Sequence, residues 1–226
     1  MTAKLLLPLT LILTLNMSGE IFFHHSNDNM KIALTFDDGP HEKYTPEILD
    51  ILNEYDIKAT FFVIGVNAEI CPDIISRTIR EGHEIGNHTY HHNKYRDDDV
   101  NNIENEIVMT ERVLYETAEY KPKLFRPPGG YCCSRLSKIA EQLDYSVILW
   151  NIDTRDWDSK SETAQEIADI VIDNIKSGDI ILCHDYKVTD INTTAEAMRI
   201  FIPKLLDAGY KFVTASELIR TKSVPQ

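Results

Sequence analysis

The chain has 226 residues, of which 43% are apolar and 26% are charged, a composition typical of a folded globular protein and not of a disordered chain. This length is sufficient for one domain with a sizeable core. The 36 acidic residues outnumber the 23 lysines and arginines and give a formal net charge of −13, which argues against binding to nucleic acid or to anionic lipid surfaces.

The N-terminal segment differs in kind from the rest. Lys4 precedes the apolar run LLLPLTLILTL, and NMSGE follows it. A basic start, a short apolar run and small residues are typical of an export signal, and the run is too short for a comfortable membrane span. We therefore expect residues 1–25 to be an export signal or, if uncut, a membrane tether, and the protein to be secreted or extracytoplasmic, in the cell envelope. A buried N-terminal strand or helix is the alternative.

From about residue 30, predicted strands alternate with predicted helices. The strands are short apolar runs, at 31–36, 58–64, 83–87, 123–125, 145–152, 179–184 and 211–215. The helices are expected at 45–56, 72–82, about 98–119, 134–144, about 161–176 and about 193–208, with a helical turn after the last strand. Thr45 and Pro46 are typical of an N-cap and a first helical position.

This alternation predicts a parallel sheet covered by helices. A closed or nearly closed barrel and an open doubly wound sheet both agree with the pattern. No Gly-rich dinucleotide or phosphate-binding fingerprint follows any predicted strand, which favours the barrel.

The four cysteines do not have the spacing of a disulfide framework or of a zinc ribbon. Cys132 and Cys133 are adjacent and could not easily pair with each other. We expect all four thiols to be unpaired, and a bond from Cys71 to Cys132 or Cys133 remains an open alternative.

Chemically reactive side chains follow five of the predicted strands. They are Asp37 and Asp38, then His88, His91 and His92, then Arg126, then Asp153 and Asp156, and finally His184. Each lies at or just beyond the C-terminal end of its strand. In a parallel α/β barrel these ends meet at one face, which carries the active site. The pattern therefore predicts one site assembled from distant parts of the chain.

Two histidines and a carboxylate in this set predict a metal site. His88 and His92 are four residues apart and share one face of a helical turn, although a His88 and His91 pair is also possible. Such a ligand set leaves open metal positions, as catalytic sites do. Each segment also has a structural interpretation: DDGP and RPPGG as turns, DTRDW as an acidic surface loop and LCH as a core histidine.

The segments TFDDGP, HTYHH, RPPGG, DTRDW and LCH, in this order and at these separations, resemble the five motifs of the polysaccharide deacetylases. This family, with its NodB homology domain, is carbohydrate esterase family four and includes peptidoglycan and chitooligosaccharide N-acetylglucosamine deacetylases. The resemblance covers residues 30–220. It implies a single-domain α/β fold, a distorted, NodB-like (β/α)7 barrel.

The resemblance also implies the residues that activate water. Asp38, His88 and His92 correspond to the ligands of one divalent metal ion, with zinc as the default and cobalt or iron as alternatives. Asp37 corresponds to the general base. Arg126 corresponds to the group that orients this base and keeps it ionised.

The remaining roles concern the substrate. His184 corresponds to the general acid that protonates the departing amine, and Asp156 to its carboxylate partner. Trp157 and Leu182 would line the acetyl pocket. Many relatives have an aromatic residue where this chain has Gly129; its N–H can still serve the oxyanion, but a sugar subsite could be weaker.

We therefore expect a metal-dependent hydrolase, a monomer, that removes acetyl groups from N-acetylglucosamine units of peptidoglycan or of a chitin-like glycan. Contact with a membrane would occur only through an uncut N-terminal segment. The alternatives are an O-acetyl esterase acting on xylan, a catalytically silent glycan-binding module and a small-molecule amidohydrolase.

Overall fold

The computed structural model describes residues 19–27, 29–94, 100–158, 163–186 and 193–221. The apolar run near the N-terminus, predicted as an export signal or tether, lies outside these ranges. None of the helices within them combines the length and the apolar character that a membrane crossing requires.

Nine strands are found in the described ranges. They are β1 (Ile21–Phe22), β2 (Lys31–Asp37), β3 (Thr60–Val63), β4 (Glu84–Asn87), β5 (Leu124–Phe125), β6 (Ser146–Ile148), β7 (Ile152–Asp153), β8 (Ile180–His184) and β9 (Lys211–Val213). The helices are α1 (Tyr44–Glu54), α2 (Gly65–Ile70), α3 (Pro72–Arg80), α4 (Val100–Ala118), α5 (Ser134–Gln142), α6 (Ala164–Asn174), α7 (Thr193–Asp207) and α8 (Ala215–Ile219).

The strands form one sheet in the order β1-β6-β5-β4-β3-β2-β8-β7, and β9 also pairs with β2. All the ladders between these strands are parallel. The predicted parallel sheet with covering helices is therefore confirmed.

The connection between β6 and β7 shows that this sheet is curled. The two strands are six inter-strand spacings apart in the sheet order, about 29 Å in a flat sheet. Yet only residues 149–151 join them, and such a link spans at most about 14 Å. The sheet must therefore bend round until its two ends approach each other, which gives the distorted barrel.

Side-chain alternation along β2 separates the barrel interior from the outer core. Leu34 and Phe36 belong to the cluster that the strands form with the surrounding helices. Thr35 and Asp37 point to the opposite face, because successive side chains of a strand alternate. Cys183, opposite Phe36 in the neighbouring strand, also packs in the outer core.

Residues 19–25 contact the folded domain, and the export or tether function expected of residues 1–25 stays a prediction. Strand β1 pairs with β6 at the edge of the sheet, and Ser137 Oγ donates a hydrogen bond of 2.6 Å to the Gly19 carbonyl. The His25 N–H donates to the Gly178 carbonyl at 2.9 Å. In the sequence, Ile21 and Phe22 come soon after the apolar N-terminal run. In the structure, however, strand β1 and the residues beside it are held by contacts with residues more than 100 positions away.

Two further details differ from the sequence expectation. Helix α1 begins at Tyr44, so Thr45 lies inside the helix and is not its N-cap. The apolar run at 145–152 is not one strand but two, β6 and β7.

All four cysteines are free thiols.

Candidate active site

Asp37 and Arg126 form a buried ion pair at the C-terminal ends of the strands. Arg126 Nη1 donates to Asp37 Oδ1 at 2.6 Å and to Thr35 Oγ1 at 2.8 Å. The other oxygen, Asp37 Oδ2, lies 3.6 Å from His88 Nε2. One oxygen of this carboxylate is thus anchored, and the other faces the histidines.

Arg126 is completely buried, and its guanidinium is held on several sides. Its Nε and Nη2 donate to the carbonyls of Ile148 and Leu149, at 3.0 and 3.1 Å. Its Cζ lies 4.0 Å from the centre of the Phe62 ring. Burial lowers the pKa of Arg126 and Asp37 opposes this effect, but an arginine has so high an ordinary pKa that it stays charged.

Asp38, His88 and His92 present three ligand atoms to one point, all within 4.8 Å of one another. Asp38 Oδ1 lies 3.6 Å from His88 Nε2 and 3.4 Å from His92 Nε2. This oxygen is buried and has no hydrogen-bond partner among the described residues. A buried carboxylate oxygen without a partner is costly unless a cation compensates it, so these residues fit a divalent metal ion.

The tautomer of His88 also suits a metal ligand. Its Nδ1 is 2.6 Å from the Arg126 carbonyl oxygen, which can only accept, so Nδ1 carries the proton. The lone pair is therefore on Nε2, the atom that faces Asp38. Burial lowers the pKa of His92, which favours the neutral form that binds metals.

His91 lies outside this group. Its Nδ1 is 2.9 Å from Glu106 Oε1, and Glu106 Oε2 accepts the backbone N–H groups of Tyr90 and His91 at 3.1 and 2.8 Å. The buried Glu106 thus holds the loop between the two candidate metal ligands. Sequence reasoning missed this residue, because nothing in helix α4 marks one glutamate among its several acids.

His184 and Asp156 form the second polar group of the site. His184 Nδ1 is 2.7 Å from Asp156 Oδ1, and Asp156 Oδ2 accepts from the His184 N–H and from Thr194 Oγ1, at 2.8 and 2.6 Å. His184 is directly opposite Asp37 in the β2–β8 ladder. Residues opposite each other in adjacent strands face the same side of the sheet.

The protonation of this pair follows from its contacts. Burial acts to lower the pKa of His184, but the hydrogen bond and the charge of Asp156 outweigh it and raise the pKa to about 9. For Asp156, burial acts in the raising direction, and the hydrogen bonds from His184 and Thr194 overcome it, so its pKa is lowered. The imidazole is therefore charged at neutral pH, with its Nε2 proton available.

The other predicted residues are less closely tied to this centre. Trp157 is 56% exposed, and Leu182 is buried within β8. Gly129 lies in an exposed turn with φ +64°, where an added Cβ would meet nothing within 4 Å. Their assignment to the acetyl pocket and to the oxyanion stays a prediction. Asp153 accepts the Arg155 N–H at 2.9 Å, as its structural interpretation expects.

Asp185, which sequence reasoning did not select, fixes the loop that follows Asp38. Its Oδ1 accepts the Gly39 N–H at 2.9 Å, and its Oδ2 accepts from Thr45 Oγ1 at 2.7 Å. A Cβ on residue 39 would lie 2.1 Å from Asp185 Oδ2, so this position requires glycine. Burial raises the pKa of Asp185 to about 7. Its only sequence signal is its position directly after His184.

The chain is similar to known proteins over most of its length. Residues 24–148 match the family described as polysaccharide deacetylase. A peptidoglycan-N-acetylglucosamine deacetylase from Bacillus cereus is 40% identical over 210 residues, which are 92% of this chain and 97% of that protein.

Two solved structures show the same fold. A crystal structure of a peptidoglycan N-acetylglucosamine deacetylase is similar with a TM-score of 0.81 and 36% identity, over 92% of this chain and 96% of that one. A family 4 acetyl xylan esterase from Clostridium thermocellum, in complex with a cobalt ion, has a TM-score of 0.78 and 35% identity, over 87% of this chain and 100% of that one.

Proposed function

The chain belongs to the polysaccharide deacetylase family, and from this premise we propose that it hydrolyses the N-acetyl groups of N-acetylglucosamine residues in peptidoglycan. The observation that carries the proposal is the buried Asp38 oxygen between two histidines, which has no hydrogen-bond partner in the described part of the chain and lies next to a carboxylate that Arg126 anchors. The Bacillus cereus relative, a peptidoglycan-N-acetylglucosamine deacetylase, supports the choice of glycan.

Asp38, His88 and His92 would hold the metal ion, for which zinc is the default and cobalt or iron the alternatives. When bound, such an ion lowers the pKa of a water molecule and polarises the acetyl carbonyl. The cobalt ion in the Clostridium thermocellum esterase structure supports a metal in this family.

Asp37 is proposed as the general base. Its Oδ1 is occupied by Arg126, so the proton of the attacking water goes to Oδ2, the oxygen that faces the candidate ligands. Arg126 contributes orientation, because its fixed contacts prevent rotation of the carboxylate. Of the two adjacent acids, Asp38 would thus bind the metal ion, and Asp37 would lie beside it and accept the proton.

His184 is proposed as the general acid. Asp156 engages Nδ1 and keeps the imidazole protonated, so Nε2 gives its proton to the nitrogen as the C–N bond breaks. The products are acetate and a glucosamine unit with a free amine.

A peptidoglycan substrate would place this reaction outside the cytoplasmic membrane. An export signal or tether in the N-terminal segment agrees with such a location. Secretion and the role in the cell wall form part of the proposal.

The direct test is acetate release from peptidoglycan, chitooligosaccharides and acetylxylan, measured in parallel with and without a chelator. We expect release from the N-acetylated glycans, loss of activity on chelation and recovery on addition of zinc or cobalt. Release from acetylxylan alone would instead favour the esterase alternative, for which the Clostridium thermocellum structure is the precedent. Binding to glycan without any release would favour the silent module.

A further inference from the structure

A pocket of about 240 Å³ lies beside the loop that carries Asp38. Asn67 in its wall donates from Nδ2 to the Asp38 carbonyl at 2.8 Å. Pro40 and Tyr186, also in the wall, come two residues after Asp38 and two residues after His184. The pocket is therefore next to the proposed catalytic centre, but its lining includes none of the residues to which we assign a catalytic step.

The lining has the chemistry of a carbohydrate site. Tyr186 and Ile70 are 40% and 71% exposed and offer an aromatic ring and an aliphatic surface for the apolar face of a sugar. Polar groups with defined directions would then select its hydroxyls.

His41 and Asn67 supply such groups. The backbone N–H groups of Lys43 and Tyr44 point to His41 Nδ1, at 3.1 and 3.4 Å, so the ring proton is on Nε2 and can be donated. The His41 ring stacks on Tyr44 and meets Tyr186 edge to face, which fixes its orientation. The Nδ2 of Asn67 donates to the Asp38 carbonyl, and its Oδ1 is the atom that would accept from a hydroxyl.

The charge of the pocket is negative. Glu42 is exposed and acidic, and the lining contains no lysine or arginine among the residues that the structure describes. The lining also includes the thiol of Cys71, whose pKa is raised by burial and then by Glu42, so this group stays neutral. An anionic group in the pocket would meet this carboxylate, with no compensating cation among the described lining residues.

We propose that this pocket binds the sugar that neighbours the N-acetylglucosamine unit under attack, and that Glu42 selects against a free carboxylate on that sugar. The inference rests on the proposed function. In peptidoglycan the neighbour is N-acetylmuramic acid, whose lactyl carboxyl is an amide while the peptide is attached and a carboxylate after the peptide is removed. The enzyme would then prefer peptide-bearing strands, or neutral chitooligosaccharides, over peptide-free strands.

The test compares acetate release from N-acetylchitotetraose and from peptide-free glycan strands. We expect Glu42→Gln to raise kcat/KM on the peptide-free strands by about two- to fivefold, the scale of one exposed charge pair, with little change on chitotetraose. The wild-type preference should also shrink as ionic strength rises. Asp207→Asn, at the exposed end of α7, removes the same charge elsewhere and should change neither rate.

A second variant tests the pocket itself. Tyr186→Ala should lower kcat/KM on chitotetraose about three- to tenfold and leave release from an N-acetylglucosamine monomer unchanged; Ile70→Ser, at a highly exposed position, should act in the same direction. If the wild type is active but Glu42→Gln leaves the ratio of the two substrates unchanged, the charge selection is wrong. If Tyr186→Ala and Ile70→Ser lower kcat/KM equally on the oligomer and on the monomer, the pocket is not a sugar subsite. The same conclusion follows if these variants change neither rate. A wild type inactive on every glycan would overturn the proposed function instead.

Discussion

Arg126 and Asp37 pair at 2.6 Å in the interior of the barrel, and this contact leaves only one oxygen of Asp37 directed at the histidines. The neighbouring Asp38 has the opposite arrangement, with an unpartnered oxygen between His88 and His92 among the described residues. Two adjacent acids thus occupy different environments, which is the basis for assigning them different roles.

Replacement of Arg126 by lysine should harm activity more than metal binding. Lysine keeps the charge but cannot reproduce donation to Asp37, Ile148 and Leu149 from one planar group. We expect acetate release to fall at least about tenfold, and the free energy of unfolding to fall by about 1–3 kcal/mol from unsatisfied buried acceptors, with metal content near one per chain. Arg112→Lys, on the exposed face of α4, is the matched control and should leave all three measurements unchanged.

The His184 and Asp156 pair predicts the alkaline limb of the pH profile. His184 acts as an acid only when protonated, so activity should be present below its pKa and be lost as pH rises through it. Asp156 raises this pKa to about 9, and the positive charge of a bound metal acts in the lowering direction, so the limb should fall at or below pH about 9. Asp156→Asn should move the limb down by about one pH unit or more, as measured by kcat/KM against pH.

Thr194→Val is a milder change at the same pair and serves as the control for this prediction. It removes one hydrogen bond to Asp156 but keeps the carboxylate beside the imidazole. The limb should therefore move less than in Asp156→Asn. An unchanged limb in both variants would show that His184 is not the acid observed in the profile.

Asp185 should position the loop that follows Asp38, the candidate metal ligand. Asp185→Ala removes the acceptors of the Gly39 N–H and of the Thr45 hydroxyl. We expect metal affinity to fall about 10- to 100-fold, the usual cost of losing an outer support of a ligand. Asp185→Asn keeps an acceptor oxygen and should retain most of the affinity. Equal losses in the two variants, measured by metal titration, would indicate that the charge matters and not the hydrogen bonds.

Two truncations test where the folded domain begins. Removal of residues 1–18 should leave a soluble, active protein, because strand β1 and its contacts with β6 are kept. Removal of residues 1–25 deletes this edge strand and should lower the thermal unfolding temperature and the yield of folded protein. Equal stability of the two truncated chains would show that β1 contributes nothing.

Strand ends could be predicted from the sequence because the relevant information is local. The apolar run before Asp37 ends in a strand, and parallel strands bring their C-terminal ends to one face. The same reasoning from the local pattern gave a wrong prediction at residues 145–152. One strand was expected there, but the continuous apolar run bends between β6 and β7. There the carbonyls of Ile148 and Leu149 turn towards Arg126, a contact between segments that sequence periodicity does not reveal.

The supporting residues of the site were missed for a related reason. In the sequence, Thr45 has the residue type and the position of a helix N-cap, yet its hydroxyl donates a hydrogen bond to Asp185, 140 residues away. Glu106 looks like any solvent-facing acid of α4, yet it holds the loop between His88 and His92. Such pairings depend on the tertiary fold and carry no short-range pattern.

Asp38 is proposed to bind the metal and Asp37 to act as the base, and the metal content of two variants tests this assignment most directly. Asp37→Asn leaves the three ligands intact but cannot accept the proton, so it should hold about one metal ion per chain while acetate release falls about 10²-fold or more. Asp38→Asn removes a ligand charge and should lose both metal and activity. Elemental analysis beside acetate-release rates gives the answer. If Asp37→Asn loses the metal and Asp38→Asn keeps it, or if both variants keep metal and full activity, the assignment is contradicted.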